Sequence, residues 1–386
     1  MFRYIEVQII RSFTSIYLDS IKNHSKNRIH NLDSLRGFLA IMVVINHIAM
    51  LSQSLSLPNL SEFAFSQRGP QAVFVFFTLS GYLIIGLLFD ERSKTGSINI
   101  KIFYIRRILR LYPVYYTVLF IGLSYYHIIL PSLHIPFKIN YNIWQALIWN
   151  VGFMPNVFTV LYNPGSILGV LWSIGVEEQF YLLVAPLLFL IPLKKYTKYL
   201  FLFSIAYFLI FHSNILPFLS QFSMLFFYMS TGGLIALLQR KGYKLHSNHP
   251  LVNTLVYLVF ALYFTTNLFN FSNDVFKDVF ELFLFNLLII NLAKAKLFKI
   301  TSPFLNYLGK ISYGIYMYHM FVVHFVLFVI IQTKKVIQLP SSLIVLILYV
   351  LSILGTFVLS HLSYQYFELR FLKLKKHFRS NARLIR

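Results

Sequence analysis

The stretch Ala72-Val-Phe-Val-Phe-Phe-Thr-Leu-Ser-Gly-Tyr-Leu-Ile-Ile-Gly-Leu-Leu-Phe89 runs 18 residues without a charge. At a rise of about 1.5 Å per residue, such a helix nearly crosses the roughly 30 Å hydrocarbon core of a bilayer. Nine more apolar blocks share the pattern. The ten centre on residues 36–55, 72–89, 112–131, 170–192, 199–212, 217–238, 251–267, 279–293, 313–332 and 341–362. With 58% of the 386 residues hydrophobic and 12% charged, apolar surface exceeds what a water-facing domain of this length can hide. The expected fold is therefore an all-α polytopic membrane protein of about ten transmembrane helices. The fifth block is short, and the broken apolar stretch around Trp144 and Trp149 reads as re-entrant.

Loop charges set the orientation. With the N-terminus placed in the cytoplasm, 29 of the 34 Lys and Arg fall on the cytoplasmic side, as the positive-inside bias requires. Both termini are then cytoplasmic, and the expected location is the inner membrane. The net charge of +22 is mostly this topology signal plus a contact for anionic lipid. Split among loops, it forms no stripe suited to nucleic acid. The absence of cysteine excludes disulfides, thiol nucleophiles and Cys-based metal sites, and no metal is expected. Residues 1–20 lack the apolar core and cleavage site of a signal peptide. Instead Ile5, Ile9, Phe13 and Ile16 share a face opposite Glu6, Arg11 and Ser15, as in a helix lying on the inner leaflet. The expected organisation is an interfacial segment 1–30, a membrane domain 31–366 without internal repeats, and a basic cytoplasmic tail 367–386.

Ionisable groups inside a span are costly unless paired or wetted, so each marks a candidate site. Of twelve acids, ten fall in loops or at span edges, among them Asp33, Glu91, Asp278, Glu281 and Glu368, which leaves Glu177 and Glu178. Residues four before and after Glu177 are Ser173 and Tyr181, a polar stripe. Those around Glu178 are Ile174 and Leu182, an apolar one. Glu177 is thus expected to face inward. In the first span Arg36 and His47 are eleven residues apart, close to three turns, on one face and about 16 Å apart along the axis. Arg106, Arg107 and Arg110 precede the third span at spacings that place Arg110 beside both others, a clamp of three guanidiniums for phosphate or carboxylate.

Five stretches occur in order over residues 31–366: Leu32-Asp33-Ser34-Leu35-Arg36-Gly37 followed by His47; Phe76-Phe77-Thr78-Leu79-Ser80-Gly81-Tyr82-Leu83-Ile84; Arg106-Arg107 through Pro113; Trp172-Ser173 through Tyr181; and Leu308-Gly309-Lys310-Ile311-Ser312-Tyr313-Gly314-Ile315-Tyr316 with His319. Together they resemble the acyltransferase-3 family of membrane O-acyltransferases. The resemblance implies transfer of an acyl group, usually acetyl from acetyl-coenzyme A, to a sugar hydroxyl of a surface polysaccharide such as O-antigen lipopolysaccharide. It makes Arg36 and His47 the functional pair, favours Glu177 over Glu178, and gives Arg106, Arg107 and Arg110 to coenzyme A. Many members carry a further hydrolase-like domain outside the membrane, so a second acyl-handling step is expected to fall to another protein.

An imidazole, with an unperturbed pKa near 6.5, suits removal of a proton from an attacking hydroxyl. The expectation is that His47 is the general base or transient acyl acceptor, that Glu177 orients it through a hydrogen bond, and that Asp33 orients Arg36. Ser173 and Tyr181 support Glu177, and His319 lines the donor path or ties helices together. Ser80 and Gly81 read as a close-packing pair. The main rival is a transporter or flippase of an acyl group, glycan or lipid-linked sugar, which would show paired broken helices in corresponding halves. None is evident.

Overall fold

A computed structural model describes residues 30–247, 249–294 and 302–378; the amphipathic pattern from Ile5 to Ile16 lies outside the described residues. Those residues form helices and connecting loops, with no strand among them. Helix α1 is His30–Ser54. Helix α2, Gly69–Thr95, starts with a proline in its first turn and stops at Gly96, whose φ of 78° suits glycine. Helix α3 is Ile100–Ser124, where the Asn99 side chain caps the Ile102 N–H; it continues through a π-turn at Tyr125–Ile129 to Ser132.

The stretch read as re-entrant is two short helices, α4 (Ile143–Val151) and α5 (Pro155–Tyr162). Nine and eight residues reach only about 13 Å each, too little to cross. Then follow α6 (Trp172–Leu190), α7 (Tyr196–His212), α8 (Phe226–Arg240), α9 (Pro250–Thr265), α10 (Asp274–Lys294), α11 (Pro303–Lys334) and α12 (Ser341–Ser363). A π-turn, Tyr364–Glu368, carries α12 into the helical turn Leu369–Leu374.

Each of the ten apolar blocks thus contains a helix, but they are not equal. Among the described residues six helices are long and apolar enough to cross a membrane: Asn31–Ser54, Gly69–Thr95, Ile100–Ser132, Ser166–Leu190, Pro303–Lys334 and Ser341–Leu374. The chain is a multi-pass helical membrane protein on that basis. Helices α7, α8 and α9 have 17, 15 and 16 residues, and α10 carries Asp274, Lys277, Asp278 and Glu281 in its first two turns. The block 217–238 is also broken. Pro217–Gln221 is a separate turn of helix, and Ser223, at φ 51°, ends it before α8 begins.

Helices α1 and α11 pack along one another, as do α2 and α8, and α12 packs on α11 while also touching α1. Their close approach depends on glycine. A Cβ at Gly309 would lie 1.9 Å from the Asp33 carbonyl oxygen, and one at Gly81 would lie 1.8 Å from that of Met229. Neither obstacle is a side chain that can swing away. Gly309→Ala therefore forces α1 and α11 apart at the turn that holds Asp33 and Arg36, at a cost of about 1–3 kcal/mol or more. Folded yield and melting temperature of the detergent-purified variant should both fall clearly. A variant with wild-type stability would contradict this packing.

Candidate active site

A cavity of about 350 Å³ opens between α1, α2, α3, α6 and α11. Its basic side chains are Arg36, Arg106, Arg107, Arg110 and Lys375; its carboxylates are Glu91 and Glu177. All three arginines of the cluster reach it because α3 starts well before the apolar block and presents 106, 107 and 110 on its first turns. The Arg107 guanidinium lies over the Tyr181 ring, 4.2 Å from its centroid. Arg36 extends into the cavity from α1 with its Nη1 3.6 Å from Asp33 Oδ1, and Asp33 is buried. Asp33 does hold Arg36, as the i, i+3 spacing suggested.

Glu177 and Glu178 separate as the stripes predicted. Glu177 lines the cavity, where Tyr181 donates to its Oε1 at 2.6 Å and Ser80 donates to the same oxygen. Glu178 is 4% exposed with Oε1 lacking a hydrogen-bond partner, and it lies within electrostatic reach of Arg107. Sequence alone reads Ser80 as a packing residue beside Gly81. Gly81 does pack on α8, but Ser80 points its hydroxyl at Glu177 instead. The signal was a hydroxyl placed one residue from the glycine, hence about 100° around the helix from the packed face.

The hydrogen bond expected between Glu177 and His47 is not formed. Helix α11 supplies the partner of His47. His47 Nδ1 lies 2.9 Å from the Val43 carbonyl and 3.2 Å from His319 Nε2, with the two rings 4.9 Å apart. His319, 0% exposed, has Nδ1 2.6 Å from the Tyr316 carbonyl. Carbonyls only accept, so both Nδ1 atoms carry hydrogen, and the single Nδ1 hydrogen of His47 is shared between the Val43 carbonyl and His319 Nε2. That tautomer leaves His47 Nε2 with an available lone pair. Tyr316 links the histidines to the cavity it lines: its hydroxyl is 2.7 Å from Ser173 Oγ and donates to the Val170 carbonyl at 3.0 Å. Ser173 therefore serves Tyr316, not Glu177. Side-chain contacts between helices far apart in sequence, such as His47 with His319, leave no spacing signature.

Five acids read as loop or edge residues are buried, namely Asp33, Glu91, Asp278, Glu281 and Glu368, and two of them lie away from the cavity. Asp278 and Glu281 are 4% and 0% exposed, with Tyr228 donating to both and Tyr263 to Glu281, while His212 Nε2 lies 3.2 Å from Asp278. Helix α10 starts at Asp274, so these residues lie one and two turns inside it, enclosed by aromatic rings. Among the described residues no group of His, Cys, Asp and Glu is arranged to hold a metal ion.

Residues 29–361 match the acyltransferase domain family. The chain is 29% identical over 179 residues to the peptidoglycan O-acetyltransferase OatA of Listeria monocytogenes, covering 44% of this chain and 26% of that protein. It is 34% identical over 169 residues to the O-acetyltransferase OatA of Staphylococcus aureus, 42% of this chain and 25% of the relative. A further Staphylococcus aureus protein carrying an O-acetyltransferase name is 27% identical over 384 residues, 89% of this chain and 57% of its own length. The chain thus spans between a quarter and just over half of these relatives. No solved structure matches it. With a family match across most of its length and the basic cavity and histidine pair built by the same stretches, the chain belongs to the acyltransferase-3 family.

Proposed function

We propose that the chain is an inner-membrane O-acyltransferase that moves an acyl group, acetyl in the first instance, from acyl-coenzyme A to a sugar hydroxyl of a cell-envelope glycan. O-antigen lipopolysaccharide and, from the name of the Listeria relative, peptidoglycan are the acceptors to examine first. In this reading the four shorter helices complete ten spans, both termini are cytoplasmic, and the basic cavity faces the cytoplasm. The observation that carries it is the cavity's lining, five basic side chains against two carboxylates, next to which Tyr316 leads to a histidine pair.

Arg106, Arg107, Arg110 and Arg36 hold the donor's phosphates, and the flexible pantetheine arm carries the thioester inward. His47 Nε2 takes the proton of the acceptor hydroxyl as its oxygen attacks the thioester carbonyl. The C–S bond breaks, and the departing thiolate takes the proton from His47. His319 accepts the Nδ1 hydrogen of His47 and so steadies the imidazolium's orientation. Glu177, held by Ser80 and Tyr181, places a fixed negative charge beside the arginines and tunes the donor site. Mass spectrometry of envelope glycans with and without the gene tests the reading. Loss of one O-acyl mass on a single sugar is expected; unchanged acylation, with purified protein inert toward acetyl-coenzyme A, would overturn it.

A further inference from the structure

Lys375 sits in the turn after Leu369–Leu374, yet it lines the same cavity as Arg106, Arg107 and Arg110. The π-turn at Tyr364–Glu368 brings this about by carrying the chain beyond α12 and laying it against α3. Such turns re-aim a helix, and they recur at functional sites. Buried Glu368 accepts a hydrogen bond from Ser363 at 3.2 Å and pins the turn. Lys375 lies beyond residue 361, where the family match ends, so nothing in that match assigns it.

Every arginine of the cluster has a carboxylate within electrostatic range: Glu91 for Arg106, Glu177 and Glu178 for Arg107, Glu368 for Arg110. The charges acting on Lys375 are the three guanidiniums. Burial first, and then Arg110, Arg107 and Arg106, push its ammonium down to about 6. The other charged or titratable groups around the cavity are Arg36 on α1, Glu91 on α2, Glu177 on α6, and Tyr313 and Tyr316 on α11. A half-buried lysine driven against three arginines is unfavourable in an empty site. It becomes favourable once a ligand with several negative charges arrives, because the anion restores the charged form. Phosphate groups carry that charge in a compact form.

We propose that Lys375 is a fifth cationic ligand for the phosphates of the acyl donor and takes up a proton as the donor binds. The proposal rests on the donor reading of the cavity given above. It makes the segment after α12 part of the donor site.

The test is titration calorimetry of the full chain with coenzyme A, in phosphatidylcholine nanodiscs, from pH 6 to 8.5 in buffers of different ionisation heat. The unbound amine is charged below about 6 and neutral above. Affinity should therefore fall as pH rises above that value, by up to about tenfold per unit, with about one proton taken up per coenzyme A bound near pH 7.5. Lys375→Arg should bind tightly with that slope removed, and Lys375→Gln should bind weakly at pH 6 and converge on wild type at high pH. Subtracting the arginine variant cancels ionisation of the ligand itself. Variants that keep the wild-type affinity and slope would overturn the proposal. So would a Lys375→Gln change confined to retention of added phosphatidylglycerol, which would give the ammonium to a lipid headgroup. Failure of the wild type to bind coenzyme A at all would overturn the donor reading together with it.

Discussion

His47→Gln is expected to lower acyl transfer by about 10²–10⁴-fold at unchanged protein level, the range that a positioned general base contributes. Glutamine fills much the same space and keeps a hydrogen-bonding amide toward Val43 and His319, so the helix pair α1 and α11 should stay together. What it removes is the basic lone pair at Nε2. His319→Gln should be milder, about 1 kcal/mol or roughly fivefold, since it replaces one hydrogen-bond acceptor of His47 and leaves the base in place. The check is transfer from labelled acetyl-coenzyme A by each purified variant, with melting temperature as control. Equal losses for both variants would mean that the two rings act as one unit. Near-normal transfer by His47→Gln would remove the base from the mechanism.

The second large effect belongs to the arginine helix. Arg106→Gln, Arg107→Gln and Arg110→Gln should each raise the KM for acyl-coenzyme A about 10–100-fold, since a hydrogen bond to a charged group contributes about 1.5–3 kcal/mol. The KM for the glycan acceptor should hardly change. Arg107 should be the most damaging of the three, because its charge also balances Glu177 and Glu178, and Glu178 keeps an oxygen without a hydrogen-bond partner. Removing that cation leaves a carboxylate buried and uncompensated. Arg107→Lys should recover little, since an ammonium does not reproduce the flat contact over Tyr181. A steady-state analysis with donor and acceptor varied separately distinguishes these outcomes; equal rises in both KM values would move the cluster away from the donor.

Much of the site was legible because helices convert spacing into direction. The polar stripe of Ser173, Glu177 and Tyr181 picked Glu177 over its neighbour, and Arg106, Arg107 and Arg110 do share the cavity. Asp33 next to Arg36 followed from one turn of α1. What stayed hidden lies between helices. The partner of His47 is 272 residues away on α11, Ser80 reaches Glu177 across 97 residues, and Lys375 returns to α3 through a π-turn that hydropathy does not mark. Apolar bulk located the helices but not their lengths: Ser223 and Pro217 break the block at 217–238. Asp278 and Glu281 looked peripheral because charge flanked them in sequence, while the aromatic rings of α8 and α9 enclose them in space.

In the proposed mechanism donor and acceptor meet across the membrane at His47, the donor entering from the arginine side. Proteoliposomes with the acceptor glycan sealed inside and labelled acetyl-coenzyme A added outside test it most directly, with the protein oriented so that its C-terminus faces out. Label should accumulate on the enclosed glycan, coenzyme A should appear outside in equal amount, and His47→Gln should abolish both. Label reaching the glycan only when acceptor and donor share a compartment, or undiminished transfer by the His47→Gln protein, would contradict that mechanism.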